Sequence, residues 1–134
     1  MPTLLRLDAS ANTASSLTRT LADRFVDEWR ALRPQDRLIA RDVGVAPPPA
    51  LSQAFLAAAF EKGERSNEQK AVLKLSDELI SEVVAADVII IATPMYNYGM
   101  PAALKAWFDQ VIRINKTFSF DLARGDQPLE PIMN

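Results

Sequence analysis

Two stretches of this 134-residue chain concentrate the groups that could bind or react. The first is Asp8-Ala9-Ser10-Ala11-Asn12-Thr13-Ala14-Ser15-Ser16-Leu17-Thr18, with five hydroxyls, one amide and no glycine. It leads into a helical pattern, and the first turn of a helix has unpaired N–H groups and a partial positive charge. Such a helix start holds a phosphate without a lysine. Ser10 at the strand end, with Ser16 and Thr18 at the helix start, can surround one phosphate group. The second stretch is Thr93-Pro94-Met95-Tyr96-Asn97-Tyr98-Gly99-Met100-Pro101. Two flat amphipathic rings beside Asn97 and Gly99 suit a planar, polar-edged ligand packed close to backbone. Each stretch alone also has a plainer reading: Ser16 as a helix cap in a polar loop, and the tyrosines as a βα turn shielding a sheet end. Both stretches, however, follow apolar strands, and ligands of open α/β sheets bind at the carboxyl ends of the strands. Taken together, the two loops favour a site.

Composition narrows the chemistry. The chain has no cysteine and no histidine, so it has no thiolate nucleophile, no cysteine metal site and no imidazole base. Chemistry is left to hydroxyls, carboxylates, backbone amides or a bound cofactor. A net charge of −2 gives nothing to attract nucleic acid or an anionic membrane, and no segment approaches a membrane span. The first strand starts within three residues of Met1, which leaves no room for a signal peptide and makes a cytoplasmic location the expectation. The length suits one domain.

The elements that must position these loops follow from the hydrophobic pattern. Thr3 to Leu7 predicts a first strand ending at Asp8. A helix follows from Ser16, with Leu17, Leu21, Phe25 and Trp29 along one face, stopping before Pro34. Arg37 to Val43 is a second strand, and its alternate charges place it near a sheet edge. A short helix covers Leu51 to Phe60, and Lys62 to Arg65 is an exposed turn. Ser66 and Gln69 form a capping box. It opens a helix whose stripe is Val72, Leu75, Leu79 and Val83, widened by Leu73, Ile80 and Val84. The run Val88-Ile89-Ile90-Ile91-Ala92 reads as a strand buried on both faces. Pro101 opens a last helix as its first residue, carrying Ala103, Leu104, Trp107, Phe108, Val111, Ile112 and Ile114. After Thr117 the pattern fades into a loop. The order β-α-β-α-α-β-α implies right-handed crossovers and a doubly wound parallel sheet.

Several familiar sites fail on missing residues. A P-loop needs a Gly-Lys pair, which is absent. A dinucleotide fingerprint needs glycines that residues 8 to 18 lack. A receiver domain would place an aspartate where Thr93 stands. Asp8 is a lone carboxylate that reads as a hydrogen-bonding partner in its loop. What remains resembles the flavin-mononucleotide-dependent NADH:quinone oxidoreductases and azoreductases, a flavodoxin-like family. The resemblance rests on Ser10 with Ser16-Leu17-Thr18, and on Pro94-Met95-Tyr96-Asn97-Tyr98 running into Pro101-Ala102-Ala103-Leu104-Lys105-Ala106-Trp107-Phe108-Asp109. Leu73 to Ile80 is also similar to the family's third helix. The family usually has Gln where Leu17 stands and Phe where Tyr98 stands.

The resemblance implies a flavodoxin-like α/β fold binding flavin mononucleotide. Ser10, Ser16, Thr18 and the Leu17 amide would hold the phosphate, and Pro94, Met95, Tyr96, Asn97, Tyr98 and Gly99 would lie along the ring and ribityl chain. The hard chemistry would be the cofactor's: hydride from NADH or NADPH to a quinone or azo compound, by a ping-pong scheme. It also implies a homodimer with its site at the interface. Trp107 and Phe108 are then contact residues, and Phe118 and Phe120 reach the partner's substrate pocket; simple packing within the chain is the competing assignment for these aromatics. Family members are longer, with two further strands and a Ser-Arg-Gly loop beside the ring. The chain is therefore expected to be the N-terminal portion of the fold, with Val88 to Ile91 exposed as a sheet edge, marginally stable and a poor flavin binder by itself. Two other functions stay open: a flavodoxin-type electron carrier, against which the mild charge and glycine-free loop argue, and an inactive remnant serving as an interaction module.

Overall fold

The computed structural model describes residues 1–133. β1 (Thr3–Asp8) is the central strand of a three-stranded parallel sheet, with β2 (Arg37–Asp42) on one side and β3 (Val88–Ala92) on the other. The order β2-β1-β3 is that of the first three strands in the flavodoxin-like arrangement. Leu4, Leu5 and Leu7 of β1 are buried, as expected of a strand covered on both faces. Side chains alternate along it: Leu7 joins the main core, while Arg6 reaches α1 (Leu17–Leu32) through Asp23 at 2.5 Å.

The main core lies on the face opposite α1. There α3 (Asn67–Ala85) and α4 (Ala102–Val111) contribute Leu79, Ile80, Leu104, Trp107 and Val111 against Leu7, Ala9 and Val43. The short α2 (Gln53–Ala59) packs Phe55, Ala58 and Ala59 on Leu73 of α3. Both halves of the Ser66–Gln69 capping box form, with Ser66 Oγ accepting the Gln69 amide at 3.2 Å and Gln69 Oε1 accepting the Ser66 amide at 2.9 Å. Such a cap contributes about 1 kcal/mol.

Several expectations are refined or corrected. The innermost residues of α3 are Leu73, Ser76, Leu79 and Ile80, whereas Val72 and Val84 are exposed; the true stripe is rotated because α2 and α4 both press on this helix. On α1 the buried residues are Ala22 and Val26, and the Leu17-Leu21-Phe25 row is exposed. Small side chains let the helix approach the sheet, and the larger ones hang beside the β3 edge. Pro101 is the N-cap of α4, with an extended ψ of 146°, and its carbonyl accepts the Leu104 and Lys105 amides. Trp107, for which dimer contact and packing within its own chain are the two readings, is 3% exposed in the core of its own chain. Finally, residues after Thr117 are not all loop: β4 (Phe118–Phe120) and β5 (Leu129–Pro131) form an antiparallel pair. Three-residue strands are too short to leave a periodic signature.

Among the described residues β3 pairs on one side only, so it is the edge that the resemblance implied and not the doubly covered strand its composition suggests. Val88, Ile89 and Ile91 keep 36%, 40% and 37% of their surface exposed. Apolar grooves flank it, one toward α1 with Leu21, Phe25 and Ile90, the other toward α4 with Ile89, Ile91 and Phe108. Among the described residues no helix is long and apolar enough to cross a membrane.

Candidate functional site

The loop between β1 and α1 begins where three strands converge. The Ala9 amide donates to Ala92 O at 3.0 Å, and the Val43 and Gly44 amides donate to Asp8 O at 2.9 and 3.2 Å. The Asp8 side chain is paired with Arg6 at 2.7 Å, so it is neither a free carboxylate nor a partner for its loop's amides. Asn12 organises the bend: its Oδ1 accepts the Ala14 and Ser15 amides at 3.0 and 3.1 Å, and its Nδ2 donates to Ser15 Oγ at 3.2 Å. This is the local side-chain-to-backbone bonding that asparagine brings to turns. Ser10 is only 2% exposed, and its hydroxyl accepts the Asn12 amide at 3.2 Å while donating to Asn12 O at 3.3 Å.

Ser16 is the N-cap of α1 and accepts the Arg19 amide at 3.3 Å. Its Oγ lies 3.1 Å from Thr18 Oγ1, so two of the predicted hydroxyls do come together at the helix start. The Leu17 and Thr18 amides belong to the first turn and have no intrahelical acceptor. Leu17 itself is 73% exposed, which leaves its backbone as its contribution.

Two residues that shape this loop escaped the sequence reading. Arg19 donates from Nη2 to Ser10 O at 2.6 Å and from Nε to Asn12 O at 3.2 Å, while its fork grips Asp42 at the end of β2 at 2.6 and 2.9 Å. This bidentate pair holds the Asp42 carboxyl below its ordinary pKa and raises that of Arg19. Gly44 is the second: a Cβ there would sit 2.0 Å from Ser10 O and 2.6 Å from Ser10 C. The available signals were an arginine three positions after the N-cap, an aspartate closing β2 and a glycine two residues beyond it.

The loop after β3 closes on itself. Tyr96 and Gly99 exchange both backbone hydrogen bonds at 2.9 and 3.0 Å around Asn97 (φ 50°) and Tyr98 (φ 62°). Two successive positive φ angles make a type I′ turn. The left-handed conformation costs a residue with a side chain roughly 1–2 kcal/mol, and here it is held by a tyrosine 95% exposed to solvent. Strain kept at an exposed, unpacked residue points to function. Gly99 does not adopt a left-handed φ, and a Cβ on it would meet Tyr96 O at an ordinary 3.8 Å, so nothing in the chain itself requires glycine there. Met95 is exposed and Pro94 half-buried.

The two loops are joined directly: the Ala11 amide donates to the Tyr96 hydroxyl at 3.2 Å. Apart from Ser10, which is buried beneath them, the predicted residues of the first and second stretches form one surface at the carboxyl ends of β1 and β3. It offers amides, hydroxyls and aromatic faces, and its nearest carboxylates, Asp8 and Asp42, are committed to arginines. Such a surface can bind an anion and a flat ring but has no free acid or base. Phe118 and Phe120 lie on β4 in the other sheet, Phe118 lining a recess with Ile112, Leu129 and Pro131.

Residues 2–130 match the family described as having the flavodoxin-like fold. The chain is 55% identical to FMN-dependent NADH:quinone oxidoreductase 2 of Colwellia psychrerythraea, and all of it aligns with 65% of that protein. It is 54% identical to the protein of the same name from Idiomarina loihiensis, again over its whole length and 59% of the relative. The chain thus spans about three-fifths of the curated relatives it matches. Among solved structures, an FMN-dependent NADH-azoreductase of Bacillus anthracis in complex with FMN superposes with a TM-score of 0.83 over 99% of this chain and 64% of that one, at 18% identity; at that identity the likeness is one of fold.

Proposed function

The chain belongs to the flavodoxin-like fold family, and from that premise we propose that it carries the flavin-mononucleotide site of an NAD(P)H:quinone oxidoreductase that also reduces azo compounds. The carrying observation is the Tyr96–Ala11 bond, which joins the hydroxyl-rich loop that leads into α1 to the aromatic turn after β3. The Leu17 and Thr18 amides with the Ser16 and Thr18 hydroxyls suit the dianionic phosphate, since unpaired first-turn amides carry partial positive charge. Ser10 shapes that loop from below. Pro94, Met95, Tyr96, Asn97, Tyr98 and Gly99 suit the ring and ribityl chain, with the exposed tyrosine and methionine supplying apolar cover.

Bound there, flavin mononucleotide supplies hydride transfer, from NADH or NADPH inward and to a quinone or azo compound outward. The chain's own residues bind and orient. No side chain is called on to move a proton: the proton that completes reduction of the quinone or azo compound would come from solvent, in keeping with a sequence without histidine or cysteine. One face serves both substrates in turn, so initial-rate lines for NADH against a quinone should be parallel; intersecting lines would refute a shared pocket. The working form is proposed to be a cytoplasmic homodimer. The exposed Phe120 and half-buried Phe108 and Phe118 are its contact and substrate-pocket residues, with Trp107 packed edge-on against Phe108 from the core.

Ser16→Ala tests the phosphate site. A hydrogen bond to a charged group is worth roughly 1.5–3 kcal/mol, so affinity for flavin mononucleotide should fall about tenfold or more. Riboflavin, which lacks the phosphate, should bind both proteins alike. An unchanged affinity for flavin mononucleotide would return Ser16 to a plain helix cap.

A further inference from the structure

We propose that Arg19, held by Asp42 over Gly44, is the positioning residue that gives the β1–α1 loop its preference for a phosphorylated ligand, without touching the phosphate itself. This rests on the reading of that loop as a phosphate site. A phosphate-binding loop must present donors and keep its carbonyl oxygens away from the anion. Asn12 and Ser10 contribute two such oxygens in the middle of the loop, and both are taken by one guanidinium, at 3.2 and 2.6 Å. The same guanidinium binds both Asp42 oxygens, and its side chain is 16% exposed. Its charge is therefore matched within the protein by Asp42, and four of its five N–H donors are engaged inside the chain, so it acts through the loop and not as the counter-ion of the ligand.

The geometry around it is fixed from three sides. Asp42 Oδ1 also accepts the Val45 amide at 3.0 Å, which anchors the carboxylate to the chain beyond β2. At Gly44 an added Cβ would lie 2.9 Å from Arg19 Nη2 as well as against Ser10, so the guanidinium and the loop share the space that glycine leaves. The Arg19 amide meanwhile caps on Ser16 Oγ, tying the proposed phosphate-binding hydroxyl to the same residue. An ammonium cannot replace this planar fork: it has fewer donors and no bidentate geometry.

The experiment measures the affinities of flavin mononucleotide and riboflavin for the wild type, Arg19→Ala, Arg19→Lys and Val26→Ala. Their ratio isolates the phosphate, because loss of general stability weakens both ligands together. The wild type should prefer flavin mononucleotide. Arg19→Ala should lose about tenfold of that preference or more, with riboflavin affinity unchanged. Arg19→Lys, which keeps the charge, should lose most of the preference too and serves if the alanine variant does not fold. Val26→Ala, a core change on the same helix, should leave the ratio intact. Arginine variants that keep the ratio within twofold of wild type would overturn the role of Arg19 and leave the flavin site standing. A wild type that binds the two flavins alike would remove the phosphate site and this role with it. A ratio that falls equally in Val26→Ala would reduce Arg19 to a structural residue.

Discussion

Gly44→Ala is the sharpest test of how the first loop is built. Gly44 does not occupy the left-handed region, so alanine meets no backbone strain there and its effect is purely steric. The new Cβ would lie 2.0 Å from the carbonyl oxygen of Ser10 and 2.6 Å from its carbonyl carbon, both main-chain atoms that cannot rotate away. Overpacking of this kind costs typically 1–3 kcal/mol. With an unfolding entropy of about 2.1 cal/mol/K per residue, a chain of 134 residues loses about 4 °C of melting temperature per kcal/mol. The melting temperature should therefore drop by about 4–11 °C. The loop should move with Ser10, so affinity for flavin mononucleotide should fall by more than that for riboflavin. Gly63→Ala is the control: its Cβ would find only the Glu61 side chain, at 3.5 Å, and an exposed change of that sort stays within about 0.5 kcal/mol, or about 2 °C. Thermal unfolding followed by circular dichroism, with flavin titrations, reads both effects. A Gly44→Ala protein that melts within 2 °C of wild type would show that the close approach to Ser10 is not a constraint on the fold.

Tyr98→Gly should relieve the positive φ of an exposed residue; set against the entropic cost of glycine, the net gain should be about 0.5–1 kcal/mol, seen as a small rise in melting temperature, while flavin affinity falls. A lower melting temperature would mean the turn is not strained. Asp42 is depressed by its bond to Arg19, so its contribution is fully present above the unfolded carboxylate pKa of about 3.9 and lost as pH falls through the folded value. The stability gap between wild type and Asp42→Asn should accordingly be widest near neutral pH and shrink below about pH 4. A gap unchanged down to pH 3 in urea titrations would show that the ion pair contributes nothing.

What was legible in the sequence was local or periodic. β1, the capping box at Ser66, the Ser16 cap and the β-α-β-α-α-β-α order each depend on residues a few positions apart, and local chemistry decides such features wherever the chain goes. The two loops were legible for the same reason: runs of hydroxyls and aromatics after apolar strands stand out in one dimension. Tertiary structure decided which of several apolar faces was buried. On α1 only Ala22 and Val26 are buried, and Trp107 turns into the core, because burial depends on the distance between layers and not on hydrophobicity alone. It also decided that Ser10 is nearly buried, that Tyr96 reaches Ala11 across 85 positions of sequence, and that Arg19 and Gly44 meet over Ser10. No periodicity announces those meetings: each joins residues from different strands and helices, and a linear pattern has no term for the distance between elements until the sheet has set it.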